Sequence, residues 1–222
     1  DRLVFTEMMS RARMMTLKDY WELRPDEDLL FEELQSLANT IKSYKQDTGK
    51  IDFIDMLEQF HDDKTLEFTH KILIVDEAQD LSPIQWHCVE RLAEVADTTY
   101  IAGDDDQAIF TWAGADVNRF IECPGTQTVL TRSYRVPVKI QEVAEKIVEQ
   151  IEVRVEKHWS PRKDEGVVEY INDLSQLDMS KGTWLLLGRN VFLLQQYSDY
   201  LMSSGYVFES PLGSPTKGES LR

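Results

Sequence analysis

Two adjacent carboxylates, Asp76 and Glu77, directly follow the apolar run at 72–75. A carboxylate at a strand end can hold Mg²⁺, directly or through water, while its neighbour orients or deprotonates a water molecule. A lone Asp-Glu pair is usually a solvated turn. The four apolar residues before this pair and the sequence Ala-Gln-Asp after it favour the catalytic interpretation.

The segment 103–116 is a second polar cluster, with three consecutive aspartates at 104–106 followed by Gln107. Three adjacent carboxylates either face water or bind a partner, because unpaired charges are unstable in a core. Gln107 offers a donor and an acceptor, which suits contact with a phosphate or a water molecule. Phe110 and Trp112 alternate as on an extended segment and would form a base-stacking platform on one side. Core packing is the alternative that the residues alone favour for both rings, because aromatic side chains are mostly packing residues, and both interpretations stay open here.

A third cluster, at residues 130–137, contains Arg132, Tyr134 and Arg135. Arginine is the usual partner of a phosphate group, and tyrosine stacks on a nucleobase. Taken alone, the segment is more typical of a surface turn. Its meaning therefore depends on its position after the other two clusters.

Each cluster follows a segment with the pattern of a strand. Residues 71–75 predict the first strand, because Lys71 is followed by the continuous apolar run at 72–75, as in a strand buried on both faces. Residues 98–102 and 127–131 are the next candidates. Ser82 and Pro83 predict a helix after the first strand, with Ser as N-cap and Pro at the first helical position. This alternation predicts an α/β fold with a mainly parallel sheet. Ligands bind at the carboxyl ends of such strands, where all three clusters fall.

The regions on either side predict a helical lobe and a second α/β unit. Residues 3–46 show helical periodicity, with Asp26 to Asp28 as first-turn acids, and residues 51–60 predict another short helix. An amphipathic helix is predicted from Val138 to Ile151. We expect the second unit to be incomplete within this chain. Its predicted elements are strands at 167–171, 183–187 and 206–208, a helix at 191–202, and a Ser/Gly/Pro-rich tail at 210–222.

Composition excludes several classes of protein. With 42% hydrophobic and 10% aromatic residues the chain can bury a core, which excludes global disorder. The formal net charge is −16, of which −9 falls on residues 67–131, and this argues against tight non-specific nucleic-acid binding through charge alone. No apolar run approaches the ~20 residues of a membrane span. Cys88 and Cys123 lack metal or redox spacing, as expected of reduced thiols in a cytosolic protein.

The three clusters, in this order, resemble the second, third and fourth motifs of the UvrD/Rep-like superfamily 1 DNA helicases. Residues 75–80 are similar to the family's Walker B string, and residues 103–116 are similar to its third motif almost throughout. Tyr134 and Arg135 match the Tyr-Arg of the fourth motif. Two shorter similarities, to the helix before the Walker B strand and to a later strand ending in Arg and Ser or Asn, lie at 52–57 and 186–190.

The resemblance implies an ATP-dependent DNA helicase with ATP and Mg²⁺ as cofactors. Asp76 would bind Mg²⁺, and Glu77 would activate the attacking water. Gln107 would sense the γ-phosphate and link it to the DNA site. Tyr134 would stack on adenine and Arg135 would act as an arginine finger. Together these groups would supply the metal, the positioned water and the positive charge that phosphoryl transfer needs.

On the DNA side, the resemblance implies that Phe110 and Trp112 stack on the bases of single-stranded DNA. Single strands and duplex/single-strand junctions would be the partners, with no membrane involved. The family often has basic residues beside this Trp, whereas this chain has Thr111 and Ala113. We therefore expect fewer phosphate contacts next to the stacked bases.

The phosphate-binding loop Gly-x-x-x-x-Gly-Lys-Ser/Thr does not occur in the 222 residues. Residues 48–50 (Thr-Gly-Lys) resemble it only in part, because Tyr44 stands at the first Gly position and Ile51 follows the Lys in place of a hydroxyl. The late family motifs, with a second arginine finger, are also missing. We expect an internal helicase fragment that needs the remainder of the helicase and is inactive alone.

The architecture implied by the resemblance is a partial RecA-like parallel-sheet domain with a helical insertion, followed by the start of a second RecA-like domain. The helical lobe would occupy residues 1–66, the core of the first domain 67–135, and the beginning of the second domain 136–222. The expected setting is the cytoplasm of a bacterial or phage-infected cell, in DNA repair or replication.

Two other functions remain open. The first is a helicase-derived binding module that does not hydrolyse ATP. The second is a Mg²⁺-dependent nuclease that uses Asp76, Glu77 and the aspartates at 104–106.

Overall fold

The computed structural model describes residues 2–23 and 29–210. The chain divides into two compact units, Asp1–Glu165 and Gly166–Arg222. The predictions for Asp26 to Asp28 and for the tail beyond residue 210 lie outside the described residues. No helix in the described ranges is long and apolar enough to cross a membrane.

Helices occupy the first part of the chain, as predicted, and no strand occurs in its described residues. The first helix, α1 (Arg2–Ala12), packs against each of the three helices that follow it. Its Met9 is 1% exposed, and Leu34 of the third helix is fully buried. The bounds are α1 (Arg2–Ala12), α2 (Leu17–Leu23), α3 (Phe31–Thr48) and α4 (Phe53–Asp62).

Local capping explains the junction between α3 and α4. Gly49 ends α3 in the left-handed conformation, with φ of 67°, which glycine adopts without a steric cost. Asp52 and Asp55 form a capping box at the start of α4, with side-chain to backbone distances of 2.7 and 2.8 Å. Lys50 donates to the Tyr44 hydroxyl at 2.8 Å. Residues 48–50 therefore end a helix rather than form a phosphate-binding loop, which agrees with their incomplete match to that motif.

A parallel pair of strands joined by a helix confirms the predicted α/β fold. Strand β1 (Ile72–Val75) pairs with β2 (Thr98–Ile101) in the register Ile72 to Thr98 and Val75 to Ile101. Helix α5 (Pro83–Ala93) connects them and packs against β1. As predicted, it begins after Ser82, whose backbone N–H donates to the Gln85 side chain at 2.8 Å.

One expectation about β1 is wrong: the strand is not buried on both faces. Ile72 and Ile74 are 59% and 72% exposed, and Tyr100 of β2 is 60% exposed. Leu73 and Val75 alternate with them and are half-buried. Side chains of a strand alternate between two faces. Within the described residues, therefore, one face of this small sheet is largely uncovered.

The predicted third strand at 127–131 is also wrong. This segment is exposed and irregular. The chain just after it pairs instead with a later segment: Ser133 N–H donates to the Ser160 carbonyl at 2.8 Å, and Arg162 N–H donates to the Val136 carbonyl at 2.9 Å. A strand needs a neighbour that takes its hydrogen bonds. Here a later part of the chain, rather than β2, supplies that neighbour.

The remaining elements are α6 (Val117–Ile121), α7 (Val138–Val148) and α8 (Val191–Ser203). Helix α7 ends three residues before the predicted Ile151, whereas α8 agrees closely with its prediction. Asn190 caps α8 by accepting from Leu193 N–H at 3.0 Å. The strands predicted at 167–171, 183–187 and 206–208 are wrong, because these segments have no strand partner among the described residues.

A cluster of charges around Arg11, here called the Arg11 cluster, joins α1, α3 and α4. Arg11 contacts Asp52 and Glu58 at 3.0 Å each, and it also pairs with Asp55. Lys45 of α3 reaches Asp52 at 2.6 Å and Asp55 at 2.7 Å. Burial would raise the pKa of Asp52, but hydrogen bonds from Lys45 and the Asp55 backbone, with the Arg11 charge, lower it to about 2.

We expect Arg11→Met to lower the free energy of unfolding by about 1–3 kcal/mol, because Glu58 loses both hydrogen bonds from Arg11 and the cluster keeps only Lys45 as a cation. Urea unfolding at neutral pH measures this change. Lys18→Met is the matched control, because its pair with Glu22 spans 3.7 Å and is exposed, so its loss should cost under about 0.5 kcal/mol. Equal effects of the two substitutions would contradict the role of the Arg11 cluster.

The Arg11 cluster also predicts a pH dependence. The ordinary pKa of Asp52 is 3.8 and its folded value is about 2, so its contribution to stability is complete above the ordinary value and is lost as pH falls through the folded value. Unfolding followed by circular dichroism between pH 5 and pH 2 should show this loss. Arg11→Met should lose less stability than the wild type over the same pH range. An identical dependence of stability on pH in the two proteins would contradict the contribution of Arg11 to the lowered pKa of Asp52.

Candidate functional site

The first predicted pair, Asp76 and Glu77, lies at the carboxyl end of β1, and both side chains are exposed. The Asp76 carboxylate accepts from the Glu77 backbone N–H at 3.0 Å. Glu77 has φ of 53°, in the left-handed region that few non-glycine residues occupy. The next residue, Ala78, donates its N–H to the Ala102 carbonyl at the end of β2, at 3.0 Å. The turn after β1 is therefore held against the end of β2.

The acidic loop, defined as residues 103–107, follows β2 at the same edge of the sheet. Asp104 accepts from the Asp106 N–H at 3.2 Å and so caps the short turn that carries Gln107. Gln107 is exposed and donates its side-chain amide to the second Asp104 oxygen at 2.6 Å. The amide of Gln107 thus has a defined orientation at the surface.

Gln79 joins the two carboxyl-end clusters and is a site residue that sequence reasoning did not single out. It is 1% exposed. Its Nε2 donates to the Glu77 carboxylate at 2.8 Å, and its Oε1 accepts from the Asp104 N–H at 3.0 Å. A Cβ on Gly103 would lie 2.6 Å from that Oε1, so glycine is required there for space. The available signal was a glutamine two residues after the Asp76–Glu77 pair.

Arg154 and Lys157 pair with all three aspartates and offset two of their three charges, so the aspartates neither face water freely nor lie unpaired. Arg154 binds Asp106 with two hydrogen bonds of 2.7 and 2.8 Å. Lys157 pairs with Asp105, and it reaches Asp104 at 3.1 Å and Asp106 at 3.2 Å. Sequence reasoning missed both cations, because they lie about fifty residues further along the chain and carry no local motif.

Ionisation in this group follows from burial and pairing. Burial raises the pKa of Asp106, but the hydrogen bonds from Arg154 and Lys157 outweigh it and hold that pKa below its ordinary value. Burial lowers the pKa of Lys157, but the hydrogen bonds to Asp105 and Asp104 outweigh it and raise that pKa. Pairing therefore stabilises the charged forms on both sides.

Phe110 and Trp112 lie on the surface, 42% and 60% exposed, which contradicts the core alternative. Their ring centroids are 6.4 Å apart. The expected extended backbone is wrong, since Thr111–Ala113 form a 3-10 turn that brings the rings together. Gly114 has φ of 100°, and a Cβ there would meet Met9 of α1 at 2.7 Å. Close packing of this turn on α1 therefore positions the two rings.

The third cluster is a surface segment. Tyr134 is 78% exposed, and the Arg132 guanidinium lies 4.8 Å from its ring centroid. Arg135 is exposed, and its backbone N–H donates to Ser133 at 3.3 Å. Among the described residues, no hydrogen bond or ion pair joins Tyr134 or Arg135 to the first two clusters. The structure thus brings together the first two predicted clusters and leaves the third separate.

The described residues fit a single Mg²⁺ ion that takes one carboxylate from the protein and its other ligands from waters and the phosphate oxygens of a bound molecule. No group of three or more His, Cys, Asp or Glu side chains in the described ranges could hold a metal ion. Mg²⁺ usually takes one or two carboxylates, with phosphate oxygens and waters completing its coordination. The exposed Asp76 suits that use. The pairing of Asp105 and Asp106 with Lys157 and Arg154 argues against a nuclease centre built from the aspartate run.

Cys88 is buried and Cys123 is half-buried, and both are free thiols, as expected. Burial raises the pKa of each. Both cysteines therefore have the character of structural residues.

Fold and site together define an α/β protein with parallel strands and a polar site at their carboxyl ends, the usual ligand position in such sheets. Residues 6–126 match the family model described as the UvrD/REP helicase N-terminal domain. The match covers more than half of the chain and contains the first two clusters. The chain belongs to the UvrD/REP helicase family.

Known proteins similar to this chain are bacterial DNA helicases. DNA helicase II of Salmonella typhimurium is 29% identical over 188 residues, and that of Escherichia coli is 28% identical over 188 residues. Each match covers 73% of this chain and 26% of the relative. The ATP-dependent DNA helicase PcrA of Bacillus subtilis is 31% identical over 98 residues, which are 42% of this chain and 13% of that protein. The chain spans about a quarter of the two DNA helicase II proteins.

We expect Arg154→Met to lower the free energy of unfolding by about 1–3 kcal/mol, because Asp106 loses both hydrogen bonds of a partly buried pair. Urea unfolding and hydrogen exchange at the acidic loop measure the effect. The loss should shrink as pH falls from the ordinary pKa of Asp106 through its lower folded pKa, because the contribution of a depressed pKa is complete above the ordinary value and disappears below the folded one.

Arg162→Met is the control for Arg154→Met. Its pair with Asp164 spans 3.0 Å but is exposed on both sides, so its loss should cost under about 0.5 kcal/mol. Unchanged exchange at the acidic loop in Arg154→Met would show that this pair does not hold the loop.

Proposed function

We propose that this chain is the ATPase-site part of a DNA helicase that couples hydrolysis of Mg²⁺-ATP to movement on single-stranded DNA and to unwinding at duplex junctions. The observation that supports this most is the buried Gln79 contact, which joins the Glu77 carboxylate to the acidic loop that carries Gln107. A water-activating group and a phosphate-sensing group have to share one site in such an enzyme. Family membership and the helicase relatives support the same proposal.

At the nucleotide side, each residue has a proposed role. Mg²⁺-ATP, when bound, supplies the transferable phosphoryl group and a metal charge. Asp76 presents a carboxylate oxygen to the metal, and Glu77 orients and deprotonates the attacking water. Gln107 contacts the γ-phosphate through its side-chain amide.

Two further residues complete the proposed nucleotide site. Tyr134 stacks on adenine, and Arg135 acts as an arginine finger on the γ-phosphate. Both side chains are exposed and available to a ligand. Because no described contact joins them to Glu77 or Gln107, we propose that they reach the nucleotide when it is bound.

At the DNA side, Phe110 and Trp112 offer adjacent exposed rings for base stacking. The acidic loop lies three residues before Phe110, and its aspartates are paired with Arg154 and Lys157. Internal pairing reduces the repulsion that bare carboxylates would exert on a DNA backbone. An acidic protein can therefore carry a DNA-stacking surface.

The proposed architecture keeps the expected ranges: a helical lobe at 1–66, a RecA-like core at 67–135, and the beginning of a second RecA-like domain from residue 136. We propose a role in DNA repair or replication in the cytoplasm of a bacterial or phage-infected cell. The support is the bacterial origin of the helicase relatives.

A non-hydrolysing binding module is the second candidate function. The observation in its favour is that none of the 222 residues forms a phosphate-binding loop. Such a module would use the exposed rings of Phe110 and Trp112 to occupy DNA.

The ATPase assay separates the two functions. We expect the protein at its full coding length to hydrolyse ATP with stimulation by single-stranded DNA, and Glu77→Gln to reduce turnover at least about 100-fold, because the water loses its base. Glu94→Gln is the control, since Glu94 is exposed after α5. DNA binding without hydrolysis by the wild type would favour the binding module.

The 222-residue chain alone should show no DNA-stimulated turnover, because it has no loop to hold the phosphates. A steady-state phosphate-release assay measures this. Turnover by this chain that Glu77→Gln abolishes would contradict the expectation.

Trp112→Ala should weaken single-stranded DNA binding by roughly 1–3 kcal/mol, the usual value of one base–aromatic stack. Fluorescence anisotropy with a labelled oligonucleotide measures the affinity, and thermal unfolding shows whether the fold is retained. Trp184→Ala, which removes another half-exposed tryptophan, is the control. Unchanged DNA affinity with lower stability would indicate a packing role instead.

A further inference from the structure

We propose that Gln79 is a positioning residue that fixes the Glu77 carboxylate and couples it to the acidic loop and Gln107. The inference rests on the proposed function, because it assigns roles to those two residues. Gln79 lies too deep to touch a ligand, being 1% exposed, and so acts through its neighbours.

The hydrogen bonds of Gln79 show why an amide is needed. Its Nε2 donates to a Glu77 carboxylate oxygen at 2.8 Å, while its Oε1 accepts from the Asp104 N–H at 3.0 Å. A buried polar group without its partners costs free energy, so these two contacts define one orientation of the side chain. A residue with only a donor or only an acceptor satisfies one neighbour and fails the other.

Glu77 depends on this contact for its side-chain orientation. Among the described residues, the Nε2 of Gln79 is the hydrogen-bond donor to the Glu77 carboxylate. The backbone of Glu77 is in the left-handed conformation and is held separately, by the Asp76 side chain and by the Asp80 N–H. Removal of the Gln79 donor therefore leaves the backbone in place and releases the carboxylate.

The chain of hydrogen bonds continues to the second cluster. Asp104, whose N–H binds Gln79, accepts from the Gln107 side chain at 2.6 Å. Three hydrogen bonds thus connect Glu77 to Gln107 through two intervening residues. We call this connection the Gln79 relay.

Gly103 provides the space in which the Gln79 relay forms. A Cβ at this position would lie 2.6 Å from the Gln79 Oε1 and 2.9 Å from the Phe120 ring. Any side chain at 103 would displace the amide or the ring. Gln79 and Gly103, which touch no ligand, thereby determine how the Glu77 carboxylate and the Gln107 amide are aligned.

Two substitutions of Gln79 distinguish the role of its amide oxygen from that of its amide nitrogen. Gln79→Glu keeps an acceptor for Asp104 but places a second carboxylate against Glu77. Gln79→Met keeps a similar volume and removes both contacts. Gln141→Met is the matched control, because Gln141 is also buried and its amide binds the Trp159 carbonyl and Glu145, away from the relay.

Hydrogen exchange of the 222-residue chain, read by NMR at the Asp104 amide, tests the relay without any activity. We expect exchange about tenfold faster in Gln79→Met, the effect of losing one hydrogen bond, and a near wild-type rate in Gln79→Glu and in Gln141→Met. The wild-type rate at Asp104 in Gln79→Met would overturn the proposal.

ATP hydrolysis by the protein at its full coding length tests the coupling. We expect kcat to fall roughly 10- to 100-fold in both Gln79 variants, because Glu77 is misplaced, with KM for ATP changed less than about threefold. A kcat within about twofold of wild type in Gln79→Glu would overturn the proposal. A wild type without ATPase activity would refute the proposed function, and the exchange measurement would still decide whether the relay exists.

Discussion

The parallel pairing of β1 with β2 is the interaction on which the site depends. Four residues of each strand are in register, and both strands end at one edge. That edge places the turn at 76–80 beside the acidic loop, and the Ala78 to Ala102 hydrogen bond extends the contact past the last strand residues. A one-residue shift in register would move every polar group at this edge. The hydrogen bonds that connect Glu77 to Gln107 through Gln79 and Asp104 would then be lost.

The densest acidic groups of this chain are partly offset by nearby cations, although the net charge is −16. The net charge of −16 suggests repulsion from nucleic acid, yet the densest acidic run is bound by Arg154 and Lys157. A second acidic group, on α4, is bound by Arg11 and Lys45. In both places a cation from a distant segment holds several carboxylates, so the same contacts reduce the local negative charge and join elements of the fold. Net charge alone is therefore a poor guide to what the surface of this protein binds.

Sequence reasoning was accurate where a signal is local. The helices α4, α5 and α8, the strands β1 and β2, and the position of Asp76 and Glu77 all follow from periodicity and capping within a few residues. It was inaccurate where a segment pairs with residues that lie far along the chain. Residues 127–131 have the composition of a strand, but a strand also needs a neighbour, and the adjacent chain pairs with residues near Ser160.

The same distinction applies to the site. The aromatic platform and the acidic run were visible as residue types, whereas the partners Arg154 and Lys157 were not, because no local pattern indicates a contact about fifty residues away. The buried position of Gln79 also depends on packing between two loops. Its amide resembles any other polar residue in a turn until Gly103 and Asp104 are placed beside it.

The uncovered face of the small sheet has a consequence for handling the 222-residue chain. Ile72, Ile74 and Tyr100 form an apolar patch that no other described part of the chain covers. Such patches bind one another, hydrophobic dyes and chaperones. The high negative charge acts in the opposite direction, because molecules of like charge repel at low ionic strength. Self-association of this protein therefore depends on the balance between attraction of the apolar patches and repulsion of the negative charges. Added salt screens the repulsion and so favours self-association.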